Sequence, residues 1–366
     1  MKAEHYTAEG ARVVRGQNIT DRGRIEGEFV HISDGFADSL GSARLRCGDI
    51  ALPHRGAIGR AALVTSDDLV MSTSLMRVRI DRARAEPAYI AAFLASPGGE
   101  REILQFASTV GTPGIGQPLS SLRKVAIPLP PLSVQRRIAA VLGAFDDLIE
   151  TNRAAATNLR ALALATFDAA SRDGAIVPFD EIGMQGRDGI AGDALAPGTA
   201  YLGLEHFGQD GVGLIGVGDA GSVDSNKARF GAGDILYGKL RPYFRKFDRP
   251  GFDGVCSTEI WVLRPKVGWG AATLNAVVAR PNFTDFAMAG NTGTRMPRAN
   301  WAHVATMPVL VPPADKREHL DDELEALWCA GVDLSDEIAD LTGTRDELLP
   351  LLISGKVRAS AGLVVS

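Results

Sequence analysis

Residues Ser133 to Ala170 read SVQRRIAAVLGAFDDLIETNRAAATNLRALALATFDAA. The run holds no proline and a single glycine, Gly143. Ile138, Val141, Phe145, Leu148, Asn152, Ala155, Leu159, Leu162 and Thr166 recur at alternating steps of three and four, which predicts a helix with a heptad seam. Asn152 has two readings here, a polar residue that fixes register or a solvated one at the seam's edge. A second seam comes later: Leu320, Leu324, Leu327, Gly331, Leu334, Ile338, Leu341, Arg345, Leu348 and Leu352. Asp315 and Glu318 are a candidate capping pair at its start. At 1.5 Å per residue such helices run to about 50–57 Å, long for an ordinary domain. A Pro-rich hinge precedes each, Ile127-Pro-Leu-Pro-Pro-Leu132 and Met307-Pro-Val-Leu-Val-Pro-Pro313. Proline can precede a helix's first turn but not sit inside it, so each hinge is a start signal.

Outward from the seams, the chain is written twice. Gly48-Asp49-Ile50 recurs as Gly233-Asp234-Ile235, and Ser72–Arg79 recurs as Ser257–Arg264. Gly111-Thr112 recurs as Gly293-Thr294, Pro130-Pro131 as Pro312-Pro313, and Val13–Ile19 aligns with Tyr201–Phe207. The five matches keep one order, with offsets between 182 and 188. They describe one unit in two copies. Each copy opens with a Gly-rich segment of short β-branched and aromatic runs, such as Ala61–Val64 and Ile260–Leu263. These predict strands, with a few helices such as Pro87–Ala95. The expected fold is α+β: two repeated mixed α/β domains joined by two long antiparallel coiled-coil helices, pseudo-twofold symmetric.

The chain has 366 residues, 45% of them apolar and 23% charged, as in a folded soluble protein. Cys47, Cys256 and Cys329 form no CxxC pair, which predicts a reducing cytosolic setting with structural thiols. The start has no apolar signal stretch, and no apolar run is long enough to span a membrane. The net charge of −5 speaks against a nucleic-acid binder until it is partitioned. Residues 1–125 carry +2, residues 126–175 and 176–310 carry 0, and residues 311–366 carry 5 basic against 12 acidic side chains, net −7. The acidic surplus sits on the last hinge and helix.

Catalytic patterns are sparse. No GxxxxGK[ST] loop occurs, and Gly211-Val-Gly213-Leu-Ile-Gly216 fits GxGxxG only as a turn, since Gly218 and Gly221 follow at once. His5, His31, His54, His206, His303 and His319 lack zinc-site spacing, so no metal is expected. There is no Asn-Pro-Pro-aromatic tetrapeptide, no paired acidic nuclease cluster and no GxSxG elbow.

What remains is polar residues on three pairs of loops. Lys239, Arg241, Tyr243, Arg245 and Lys246 form the densest basic cluster, against His54, Arg55 and Arg60 in the first copy. Thr112 and Gln117 stand against Thr294, Arg295, Arg298 and Asn300. Gln17 and Asn18 stand against Glu205 and His206. Arg and Lys suit phosphates and guanine edges, and Asn and Gln suit adenine. These residues are the candidate DNA contacts.

Ile127-Pro-Leu-Pro-Pro-Leu-Ser-Val-Gln135-Arg-Arg-Ile-Ala-Ala-Val-Leu142, running into Phe145-Asp-Asp-Leu-Ile-Glu-Thr-Asn152, resembles the central conserved region of type I restriction–modification specificity subunits. Tyr201–His206 and Gly233–Tyr243 look like that family's target-recognition sequence, and Leu348–Arg358 like its closing helix. Arg317 departs from the family pattern, standing where Gln135 does in the first hinge. The resemblance implies target-recognition domains over 1–125 and 176–310, each reading half of a bipartite double-stranded DNA site. It implies hinge-and-helix spacers over 126–175 and 311–366 that carry two modification subunits. Those subunits would bind S-adenosylmethionine and methylate adenine, and restriction subunits would add ATP and Mg-dependent translocation and cleavage. This chain would hold no cofactor and catalyse nothing, in the cytoplasm. The competing readings are a fused or cryptic restriction or methylation enzyme and a scaffold that binds only protein.

Overall fold

The computed structural model describes residues 5–20, 23–108, 113–290 and 296–358. The chain forms two compact units, residues 1–152 with 337–366, and residues 153–336. A central helix, Leu132–Ser171, and a closing helix, Arg317–Ile353, each contribute one part to each unit.

In unit 1, a four-stranded sheet runs in the order Tyr6–Thr7, Val30–Ile32, Ala11–Val14, Leu69–Met71. A three-stranded sheet places Asp49–Pro53 between Ala62–Leu63 and Leu75–Arg79, with Ile50 opposite Val78. Helix Pro87–Leu94 buries Tyr89, Ile90 and Leu94 in one core with Ile138 and Leu142 of the central helix and Leu349 and Leu352 of the closing helix. Arg345 pairs with Asp146 at 2.7 Å, so the two long helices run antiparallel here.

Unit 2 repeats the plan with additions. A five-stranded sheet runs Gly189–Ile190, Lys227–Phe230, Gly254–Ser257, Ala200–Leu202, Gly218–Asp219. A four-stranded sheet pairs Ile235–Gly238 with Ile260–Pro265, Ile235 opposite Leu263, the repeat partners of Ile50 and Val78. Phe179, Tyr237, Trp261 and Phe283 form the core with Ala163 and Phe167 of the central helix and Leu320 and Leu324 of the closing helix.

The repeated Gly-Asp-Ile has a structural cause. The Asp49 carboxylate accepts from the Arg46 amide at 2.9 Å and from Arg79 at 2.8 Å through each oxygen. The Asp234 carboxylate accepts from the Gly231 amide at 2.9 Å and from Arg264 at 2.8–3.0 Å. In both copies one carboxylate closes a turn and grips the neighbouring strand.

The hinge departure at Arg317 is likewise resolved. Gln135 is buried, donates to the Pro130 carbonyl at 2.7 Å and accepts from the Glu86 amide at the start of helix Pro87–Leu94. Arg317 donates through Nε to the Pro312 carbonyl at 3.2 Å, and its guanidinium lies 3.8 Å over the Trp269 ring. The helix-start role passes to Asp321, whose carboxylate accepts from the Thr273 amide at 2.7 Å in helix Ala271–Val278. Arg317→Gln should therefore cost under about 1 kcal/mol, the weight of the lost cation–π contact, and Arg317→Ala about 1–2 kcal/mol. Urea unfolding of the two variants checks this, and a glutamine variant as weak as the alanine one contradicts it.

Three sequence expectations are corrected. The first seam's buried stripe is Ile138, Leu142, Ile149, Asn152, Ala156 and Ala163, while Leu148 and Leu162 are 42% and 51% exposed. Val141-Leu142, Leu148-Ile149 and Leu162-Ala163 are adjacent apolar pairs, and packing selects the second of each. Asn152 is buried, which removes the solvated reading. Asp315 lies within a 3-10 turn, Ala314–Lys316, that leads into the closing helix, instead of capping it. Of the three thiols only Cys256 is buried, and burial pushes it up to about 12, while Cys47 and Cys329 are exposed.

Candidate nucleic-acid interface

In both units the structure brings the same two loops together. Strand Asp49–Pro53 runs on into His54, whose carbonyl accepts from the Ile115 amide at 2.9 Å, and the Gly56 amide donates to the Pro113 carbonyl at 3.0 Å. Arg55 bridges to Gly114. In unit 2, strand Ile235–Gly238 runs on into Lys239, whose carbonyl accepts from the Ala299 amide at 2.9 Å, and the Arg241 amide donates to the Pro297 carbonyl at 2.7 Å. Leu240 bridges to Arg298. Loops more than 55 residues apart in sequence thus form a matched two-stranded edge in each copy.

The edge carries different side chains over one backbone. Gly56 and Gly59 take left-handed φ angles of 80° and 92°. Arg241, the repeat partner of Gly56, holds the same region at 51°, as does Arg245 at 49°, and the two flank the 3-10 turn Pro242–Phe244. A non-glycine residue in that region costs on the order of 1–2 kcal/mol, so the turn spends stability to place two arginines.

A third loop adjoins the edge. Asn18 closes the 3-10 turn Gly16–Asn18 by accepting from the Arg15 amide at 3.0 Å. His206 closes the turn Leu204–His206 by accepting through Nδ1 from the Gly203 amide at 2.9 Å. The repeat therefore preserves a hydrogen-bond acceptor, not a residue type.

The candidate contacts sort into two groups. Gln17, Arg55, Gln117, Glu205, Arg241, Tyr243, Arg298 and Asn300 are exposed, and Lys239 is half-buried. Arg298 is paired with Glu259 at 3.0 Å, and the Asn300 side chain caps helix Trp301–Val304 through the Ala302 amide. Others are also bonded within the protein. Asn18 is 1% exposed and its amide donates to the Glu26 and Glu28 carbonyls. The Arg245 guanidinium turns to the Ala279 carbonyl at 3.0 Å, and the Lys246 ammonium to the Leu204 carbonyl at 2.6 Å. Arg60 donates to the Ile19 carbonyl at 3.0 Å, and His54 Nε2 lies 3.0 Å from the Thr73 carbonyl. His206 is half-buried with its Nδ1 committed. The sequence reads a basic cluster as outward-facing, but half of this one satisfies loop carbonyls. Thr112, Thr294 and Arg295 lie outside the described residues.

Sequence reasoning missed Glu259, which faces Arg298, and Arg24 and Arg160, which tie loops to the central helix. Arg24 pairs with Glu150 at 2.5 Å, and Arg160 donates to the Gly211 and Val212 carbonyls at 2.7 and 3.1 Å. Their distance in sequence from the loops they hold hid them. No group of three or more His, Cys, Asp or Glu that could hold a metal occurs among the described residues.

The chain is thus a duplicated α+β unit built on two long helices, with matched loop edges dressed in different polar side chains. The first part of the chain is similar to type I restriction–modification specificity subunits. The profile of the type I restriction modification DNA specificity domain matches residues 4–159. The type I restriction enzyme EcoDI specificity subunit of Escherichia coli is 30% identical over 106 residues, 29% of this chain and 23% of the relative. The match thus spans about a quarter of that relative's length. The S subunit of the type I restriction–modification system of M. genitalium shares the fold: 14% identity, TM-score 0.56, over 95% of this chain and 93% of that one. No helix among the described residues is long and apolar enough to cross a membrane.

Proposed function

We propose that this chain is the DNA sequence-specificity subunit of a type I restriction–modification complex. The observation that carries the reading is the matched pair of loop edges, Arg55–Gly114 and Leu240–Arg298, alike in backbone and unlike in side chain. Two copies of one scaffold with different polar surfaces suit two different half-sites. The readers are residues 1–125 and 176–310, and each takes one half of a bipartite double-stranded site. The hinge-and-helix segments over 126–175 and 311–366 act as spacer and dock two modification subunits. If both readers enter major grooves on one face, half-site centres fall about 34–36 Å apart. The chain is non-catalytic: S-adenosylmethionine belongs to the modification subunits, ATP and Mg to the restriction subunits, and the complex works in the cytoplasm.

Charge supports a division of labour. The reader segments carry +2 and 0. Phosphate neutralisation supplies most non-specific affinity, so the chain alone should hold DNA weakly, with much of the grip coming from its modification partners. The test is methylome sequencing of a host expressing the modification subunits with and without this chain. A bipartite adenine mark that vanishes with the chain is expected, and a mark that persists without it overturns the reading.

A further inference from the structure

The Gly-rich segment that fits no phosphate loop forms a hairpin in unit 2. Phe207 bridges to Leu214, and the Gly208 amide donates to the Gly213 carbonyl at 2.8 Å. Val212, Ile215 and Val217 are 58%, 64% and 53% exposed. Phe207 and Leu214 pack into the core of unit 2, and the apolar side chains left exposed beside them call for a partner.

The hairpin is nonetheless held firmly. The Asp210 and Gly211 amides donate to the Phe244 and Arg245 carbonyls, each at 3.0 Å, so the hairpin's own turn packs on the Arg241–Arg245 turn. The Leu214 amide donates to the Asp248 carboxylate at 2.7 Å. Arg160 of the central helix binds the carbonyls of Gly211 and Val212. Unit 1 holds the equivalent place in the mirror manner: Arg24, beside the Ile19–Ile25 bridge, reaches the central helix at Glu150 and at the Asp146 carbonyl. Among the described residues, the three non-glycine residues with left-handed backbone are Asp210, Arg241 and Arg245, all in these two touching loops. Such conformations persist where surrounding bonds over-determine them, and they gather at functional sites.

We propose that the hairpin Phe207–Leu214, with Ile215, is a DNA-contacting element of the second reader, an apolar probe for thymine methyl groups or an unstacked base step. DNA is the partner because the hairpin's turn packs on the turn that exposes Arg241 and Tyr243. A cation and an aromatic ring beside an exposed apolar face suit phosphate, base face and methyl group together. Arg160 is a positioning residue: it sets the height of the tip from the central helix and touches no base. The inference rests on the DNA-reading function proposed above.

The test co-expresses the full chain with its modification subunits and reads genome methylation and complex co-purification. For Val212→Ser with Ile215→Ser, the complex should assemble as the wild type does and the first half-site should be kept. Methylation at wild-type sites should fall at least about fivefold, with the second half-site lost or degenerate, since a good base contact is worth that much or more in discrimination. Arg160→Ala should relax the same half-site, and Arg160→Lys should restore part of it. Wild-type marking by the double variant overturns the proposal. Loss of co-purification also overturns it, because it assigns the hairpin to a protein partner. A wild-type chain that deposits no bipartite mark removes the DNA-reading function itself and this inference with it.

Discussion

Replacing Arg241 with glycine should leave unit 2 as stable as before or more so, while weakening its hold on DNA. Arg241 has φ 51° and its side chain is exposed. Glycine removes a left-handed strain of about 1–2 kcal/mol but adds about 0.4–1 kcal/mol of unfolded-state entropy, so a net gain of about 0–1.6 kcal/mol is expected. Loss of a guanidinium that meets a base edge costs about 1–3 kcal/mol in discrimination, roughly 5–150-fold. The two effects have opposite signs, which separates a recognition role from a structural one. Thermal unfolding of the chain and methylation of a bipartite duplex by the assembled complex measure both. A variant that loses stability and methylates normally would remove Arg241 from the interface. Arg241→Ala keeps the strain and loses the charge, so it should match glycine in methylation and fall below it in stability.

Asp49→Ala should cost about 2–3 kcal/mol. Asp49 is 2% exposed and its carboxylate closes the Arg46 turn while holding Arg79 through both oxygens. Breaking a fully buried pair costs about 3–5 kcal/mol. Arg79 is 48% exposed, so water takes over part of its charge, and the lower figure applies. The same carboxylate makes unit 1 acid-sensitive. Burial pushes Asp49 up, but the Arg79 bonds and the Arg46 amide outweigh it and hold the group below the ordinary carboxylate range. A depressed folded pKa contributes stability that is full above the unfolded value of about 4 and lost as pH falls through the folded one. Asp68, gripped by Arg12, acts in the same direction. Urea unfolding between pH 7 and 3 should show a steeper acid loss for the wild type than for Asp49→Ala. Parallel curves would contradict the assignment.

The large-scale order was legible because it rests on periodicity and on repetition. The closing helix follows its predicted seam, with Leu320, Leu324 and Leu352 buried. The central helix was legible as a helix, but its inward face was not, since Leu148 and Ile149 offer equal hydrophobicity and only packing separates them. Helix Pro87–Leu94 and the strand at Ile260–Leu263 were announced by proline and by β-branched runs. The candidate interface was legible as three loop pairs, not as a set of outward side chains. Gln17 and Asn18 are adjacent, yet one is exposed and the other buried under two backbone carbonyls. Whether Lys246 faces solvent or the Leu204 carbonyl depends on a residue 42 positions away, which local composition does not encode.

The division of the chain has a temporal consequence. Unit 2 is one continuous stretch, residues 153–336, whereas unit 1 takes in residues 337–366 as well as 1–152. During synthesis, every residue of unit 2 leaves the ribosome before unit 1 receives Leu349 and Leu352. Until then the core around Ile138 and Leu142 lacks two of its buried leucines. Domains generally fold as units in the order they emerge. Here the first-made unit is the last to close, and its core stays short of the closing-helix leucines for the whole time unit 2 is being made. That interval is when chaperones or an early-bound partner subunit would act on it.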